Sequence, residues 1–195
     1  MQQTQVKGLM QRIDFWISNI SEKNLTKSLF IIVFTGVFAA LTTYITISRA
    51  VTPLPATGGT HIIRSVLIFV LTLLGFGFSI GVYHIASHLL GGIGNVKKIT
   101  AMAGYASIPM LAQNAIRFIY YLFINDPTDN VPQLSGILGQ ILNHFTVFSI
   151  ITLILITYAA RQNYNISLRK AALVALIPII ISLSVSYVFR GIPLS

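Results

Sequence analysis

His84 and His88, one helical turn apart with Ser87 between them, are the residues whose spacing comes nearest to a reactive constellation. An i, i+4 pair puts both imidazoles on one helical face, where they could hold a divalent metal. A catalytic metal also needs a third protein ligand and a general base beside it. The chain offers no cysteine and only four acidic residues, and Asp14, Glu22, Asp126 and Asp129 all fall outside the long apolar stretches. No metal ligand, cofactor site or catalytic residue is therefore assigned, and the chain is not read as an enzyme. The shortage of acids also argues against a hydrolase triad or a proton relay, and the lack of cysteine removes disulfides, thiolate nucleophiles and iron–sulfur clusters.

A second set of polar residues lies inside apolar segments, where each is costly in lipid and must face protein or water. Gln113 and Arg117 share a helical face, with Asn114 beside them. Asn143 and His144 come at a similar depth on the following segment if the two run antiparallel. The expectation is a buried polar cluster of Gln113, Asn114, Arg117, Asn143 and His144. Its commoner meaning is interhelical hydrogen bonding, about 0.6 to 2 kcal/mol each, or Arg117 reaching out to Asp126. The alternative is the path of a small transporter or channel. A third set is Gly91, Gly92 and Gly94 followed by Lys97 and Lys98. The spacing is not that of a phosphate-binding loop, and no Lys-Ser/Thr pair follows the last glycine where one is required. The glycines are read as a tight turn and the lysines as a contact with anionic headgroups.

The elements that position these residues are set by hydropathy. The 195 residues are 54% hydrophobic and 9% charged, against roughly a quarter charged in soluble domains. Apolar stretches run over residues 28–48, 65–88, 100–124, 137–160 and 171–189, each near the roughly 20 residues that cross a hydrocarbon core about 30 Å thick. Without water to satisfy the backbone, and with no strand-like alternation, such stretches must be helices. The fold class is all-α: a polytopic membrane protein with five transmembrane helices in residues 28–195, preceded by a segment of residues 1–27. In that segment Val6, Leu9, Met10, Ile13, Trp16, Ile17 and Ile20 recur every three or four residues beside Lys7 and Arg12, the pattern of an amphipathic helix lying in the membrane interface. A helix packed under the bundle is the other reading. No removable signal peptide is read there.

The net charge of +9 is not gathered on one folded face, so nucleic acid is not an expected partner. Lys7, Arg12, Lys23, Lys27, Lys97, Lys98, Arg161, Arg169 and Lys170 fall on one side of the five-span topology and Arg49, Arg64 and Arg190 on the other. Cations are retained on the cytoplasmic side, so the amino terminus is expected in the cytoplasm and the carboxyl terminus outside. The connection Val51 to Thr60, rich in proline and glycine, is an expected outer loop, as is the cation-free loop Asn125 to Gly136. The glycosylation patterns at Asn24 and Asn165 fall inside and are discounted. Thr35, Gly36, Ala39 and Ala40 in the first span, and Gly75, Gly77 and Gly81 in the second, are expected at close helix contacts, within the chain or between copies. Pro109 and Pro178 should kink the third and fifth spans.

The run from Gly91 through Lys98, followed by Ala103-Gly104-Tyr105-Ala106-Ser107-Ile108-Pro109, resembles the core signature of the YIP domain family, the Ypt/Rab-interacting membrane proteins. Gly104, Tyr105 and Pro109 are similar to its Gly-Tyr-x-x-x-Pro element; Gly91, Gly92, Gly94 and Lys97 are similar to its glycine-rich loop. The resemblance implies five spans with a cytosolic amino terminus, and a scaffold or adaptor role in membrane organisation or trafficking. The implied partners are the lipid bilayer, membrane or cytosolic proteins on the inner face, and a further copy of the chain. The front part differs: an amphipathic stretch stands where eukaryotic relatives carry a long cytosolic tail with an Asp-Leu-Tyr-Gly-Pro element. That resembles a short prokaryotic member, which would lie in the plasma membrane, and it weakens the case for GTPase binding.

Overall fold

A computed structural model describes residues 2–49, 58–123 and 146–190. These form helices α1 (Gln2–Ser18), α2 (Leu25–Arg49), α3 (Gly58–Leu89), α4 (Val96–Ala106), α5 (Ile108–Phe123), α6 (Val147–Tyr164) and α7 (Leu168–Arg190), with a 3-10 turn over Glu22–Asn24. No strand occurs among the described residues. Three helical stretches there are long and apolar enough to cross a membrane: Glu22–Ser48, Gly59–Leu89 and Leu168–Val185. They correspond to the expected first, second and fifth spans. The loop Asn125 to Gly136 and the first part of the expected fourth span, with Asn143 and His144, lie outside the described residues.

The expected third span departs from the single kinked helix. It is two helices, because the chain cannot carry a regular bond pattern through Pro109. Proline has no N–H for the Tyr105 carbonyl, and its ring crowds the preceding turn. Ser107 takes φ −84° and ψ −2° at the junction. Its amide bonds the carbonyls of Ala103 and Gly104 at 3.0 and 3.1 Å, while its hydroxyl donates to Ala103 O at 2.8 Å. Pro109 then falls in the first turn of α5, where a missing N–H costs nothing. At the other end α4 begins before Thr100, because Asn95 caps it: Asn95 Oδ1 accepts from the Lys97 amide at 2.8 Å. A second departure concerns the connection Val51 to Thr60, since α3 already starts at Gly58 and runs 32 residues. At 1.5 Å per residue that is about 48 Å, longer than the hydrocarbon core is thick.

Many polar side chains inside the helices are satisfied locally. Thr35, Thr42, Thr43, Thr46, Thr72 and Thr157 each donate to the carbonyl four residues earlier at 2.7–2.9 Å, an internal partner where lipid offers none. Large apolar residues face outward along the helices, among them Phe34, Ile63, Leu74, Phe78 and Ile119. Such continuous apolar exposure is foreign to a water-soluble monomer.

The buried core sits towards the end of the bundle that carries α1. Ile17 of α1 and Ile20 just after it, Tyr83 and Ala86 of α3, Ile99, Met102 and Ala103 of α4, Ala159, Ala160 and Tyr164 of α6, and Ala171 and Val174 of α7 contribute to it. The stripe on α1 thus divides: Ile17 is fully buried, while Met10 and Trp16 remain exposed. Asp14 fixes the helix rotation, accepting from Arg161 Nη1 at 3.0 Å and from Gln162 Nε2 at 3.1 Å. Both ionic partners are partly exposed, so the pair contributes about 0–1 kcal/mol and the isoleucines do most of the anchoring.

Replacing Ile17 with Ala should therefore cost about 2–4 kcal/mol in thermal unfolding of the purified protein and speed tryptic cleavage after Arg12. Phe15→Ala, on the exposed side of the same helix, should change stability by no more than about 0.5 kcal/mol and leave cleavage as it was.

Candidate functional site

The glycine-rich segment between α3 and α4 is a helix stop followed by a close-packed strap. Gly91 adopts φ +84°, the left-handed conformation that costs glycine nothing. Its amide bonds His88 O, and the Gly92 amide bonds Ser87 O, both at 2.9 Å. That pair of reversed bonds is the Schellman ending of a helix. The next two glycines are needed for space. A Cβ on Gly92 would lie 2.8 Å from Tyr164 Cβ and 2.9 Å from both Ile166 Cγ2 and Ser87 O. A Cβ on Gly94 would collide with the Tyr164 ring and come within 2.6 Å of Asn163 O.

Tyr164 and Asn163, at the end of α6, hold this strap. The Ile93 amide donates to Tyr164 O at 3.1 Å. Asn163 Nδ2 donates to Asn95 O at 2.9 Å, and Asn163 Oδ1 accepts from the Asn95 amide at 3.4 Å. Asn165 closes α6 with φ 52°, a left-handed residue of the kind asparagine tolerates. Lys170 Nζ, from the first turn of α7, donates to Leu90 O at 2.8 Å. The two histidines serve the same contact. His84 Nδ1 lies 2.7 Å from the Tyr164 hydroxyl, and the ring centroids of His84 and His88 are 4.5 Å apart, edge to face. Among the described residues no third His or acid joins them.

The Gly-Tyr-x-x-x-Pro element divides three tasks. Gly104 lets α4 cross the start of α2: a Cβ there would overlap Ser28 Oγ and stand 2.9 Å from the Ser28 carbonyl oxygen. Ser28, fully buried, donates its hydroxyl to Thr100 O at 3.0 Å. Tyr105 meets Trp16 of α1 edge-on, with centroids 6.2 Å apart. Pro109 sets the α4–α5 junction. Lys97 is exposed and Lys98 half-buried in the first turn of α4.

The polar residues of α5 are not gathered in one place. Gln113 is buried and its Oε1 accepts from Thr146 Oγ1 at 3.0 Å; Thr146 also caps α6 by accepting from the Ser149 amide. Asn114 donates to Thr35 O at 3.3 Å, tying α5 to α2. Arg117, one turn on from Gln113, is exposed. Of the small residues, Gly36 meets Phe69 of α3 at 3.1 Å from a notional Cβ, whereas Gly75, Gly77 and Gly81 have nothing within 4 Å. Ser28, Asn163 and Tyr164 were not singled out from the sequence. A small residue opening a span and two polar residues closing another were the only signals, and neither names its partner.

A bundle whose outside is apolar, most of whose polar groups are spent on one another and whose Gly92, Gly94 and Gly104 serve close approach defines an all-helical integral membrane protein built around packing. Residues 8–189 match the family model of the Yip1 domain. The chain belongs to the Yip1 domain family. No curated protein and no solved structure matches it.

The tight crossing yields a paired expectation. Gly104→Ala should destabilise the protein by about 1–3 kcal/mol through overpacking, and Ser28→Gly in the same chain should recover part of the loss. Gly75→Ala, in open space, should be neutral or stabilise by up to about 1 kcal/mol through helix propensity. Thermal unfolding in one detergent checks all three.

Proposed function

We propose that this Yip1-family chain is a five-span membrane scaffold that works by binding, with α1, the glycine-rich strap and the α6–α7 turn forming its cytoplasmic docking face. Residues 1–27 supply the interfacial helix and residues 28–195 the spans, the broken α4–α5 pair serving as the third and α6 as the inner part of the fourth. The amino terminus lies in the cytoplasm and the carboxyl terminus outside, as the sorting of lysines and arginines to one rim requires.

The observation that carries this reading is the locking of three sequence-distant segments into one surface. Asp14 holds Arg161, Asn163 holds Asn95, and Lys170 holds Leu90. The surface so fixed presents Leu89 and Ile93, 82% and 87% exposed, next to exposed Lys97 and Arg169. An apolar centre with a cationic rim suits acidic protein partners at a membrane surface. A conduction path along α5 has less support, since Gln113 and Asn114 already bond within the bundle.

Because the chain has no cysteine, single substitutions report topology without background. A membrane-impermeant maleimide should label Ser195→Cys on intact cells and Gln3→Cys only after permeabilisation; labelling of both from one side would end the five-span reading. Ile93→Glu combined with Lys97→Glu should reduce recovery of co-purifying proteins from solubilised membranes about tenfold while leaving thermal stability unchanged. Equal recovery with the parent chain would remove the strap from the docking face.

A further inference from the structure

Where α3, α5, α6 and α7 meet, the bundle holds a partly open cavity of about 220 Å³. Its walls include Tyr83, Met110, Thr152, Ile156, Ala175 and Ile179. Two hydroxyls on different helices are left over at this place. Thr152 Oγ1 is buried with no hydrogen-bond partner, although the neighbouring Thr157 donates to the carbonyl four residues back at 2.8 Å. Tyr83 is only 9% exposed, and its hydroxyl has no hydrogen bond among the described residues. Ser149, also on the wall, is already committed to Thr146 O at 2.8 Å. Pro178 stands in the wall turn between Ala175 and Ile179 and offers no amide to the Val174 carbonyl.

A buried hydroxyl without a partner is costly in lipid, where no solvent can compensate. The unsatisfied Thr152 hydroxyl, with the Tyr83 phenol on the same wall, indicates a polar atom that belongs there. Among the described residues no ionisable group other than the Tyr83 phenol lines the space, which favours a neutral occupant. Size is also informative: an apolar void of about 150 Å³ admits a benzene-sized molecule, so this one takes something larger. Most of the wall is aliphatic, which suits a hydrocarbon body with a single polar head.

We propose that this cavity is a binding site for a small neutral amphipathic molecule bearing a hydroxyl, held at its polar end by Tyr83 and Thr152. The hydroxyl donates to one side chain and accepts from the other, and the aliphatic part lies against Met110, Ile156 and Ile179. This site is independent of the docking face and stands whether or not that face binds protein.

The full chain in lipid nanodiscs, irradiated with a diazirine-bearing octanol and mapped by mass spectrometry, tests it. Adducts are expected on the α3 segment around Tyr83 or the α6 segment around Thr152, competed by 1-octanol and not by octane. Thr152→Phe fills the space and should abolish those adducts. Thr152→Val keeps the space without the hydroxyl, and should raise the octanol needed for competition roughly threefold to tenfold, the worth of one hydrogen bond. Adducts confined to outward residues such as Leu173 and Ile180, which would leave the cavity to water alone, overturn the proposal. So does competition by octane equal to that by octanol, or a Thr152→Val chain that competes like the parent.

Discussion

The seat that Gly92 and Gly94 make for Tyr164 is the contact on which the rest of the molecule depends. Tyr164 is fully buried, its carbonyl receives the strap at Ile93, and its hydroxyl meets His84. Any side chain on Gly94 would collide with its ring, so the close approach exists only because two residues lack a Cβ. Once the strap lies there, Asn95 is fixed against Asn163 and can cap α4. The start of α4 in turn sets where Gly104 crosses Ser28, and so where α2 stands. Position is passed from α6 to α2 through backbone contacts, which tolerate less variation than contacts between flexible side chains.

Lipid explains why the order is greatest at one end. Within hydrocarbon, burying apolar surface between helices gains little, because the tails outside are as apolar as leucine. Helices there associate through shape and hydrogen bonds, seen at Gly36 against Phe69 and Asn114 on Thr35. Near the rim, water returns and the hydrophobic effect returns with it. Ile17, Ile20, Ile99 and Met102 are buried there, and the ionic and amide bonds of Asp14, Asn163 and Lys170 are made there. One chain thus uses two sets of forces, divided by depth.

This division also determines what could be seen in advance. Helices α2, α3 and α7 were legible because a hydrocarbon slab dictates a run length that any sequence must show. The turn at Gly91 was legible because a left-handed residue is a local requirement. The seat for Tyr164 was not, since its partners are about 70 residues apart and glycine signals room without saying for what. Pro109 announced a bend, but whether a proline kinks a helix or ends it depends on Ser107 settling between two turns. Of the five polar residues grouped around Arg117, Gln113 and Arg117 were joined by a shared helical face and Asn143 and His144 by depth. Gln113 is buried and Arg117, one turn on, is exposed, so burial changes along that face of α5, which a helical pattern does not show; Asn143 and His144 lie outside the described residues.

The character of the motif residues bears on what a Yip1-domain chain does with its fold. A catalytic signature is rich in groups that move protons, electrons or metal ions. Here Gly91, Gly92, Gly94, Gly104 and Pro109 carry no functional group at all, Tyr105 offers a ring edge to Trp16, and Asn95 caps a helix. Each acts on the path of the backbone, and together they hold α1, the strap and the α6–α7 turn in a fixed relation. A motif of that composition encodes a shape. A rigid shape at a membrane rim, with exposed Leu89 and Ile93 beside cations, is an asset to a protein that is recognised, because preorganised surfaces lose least entropy on binding.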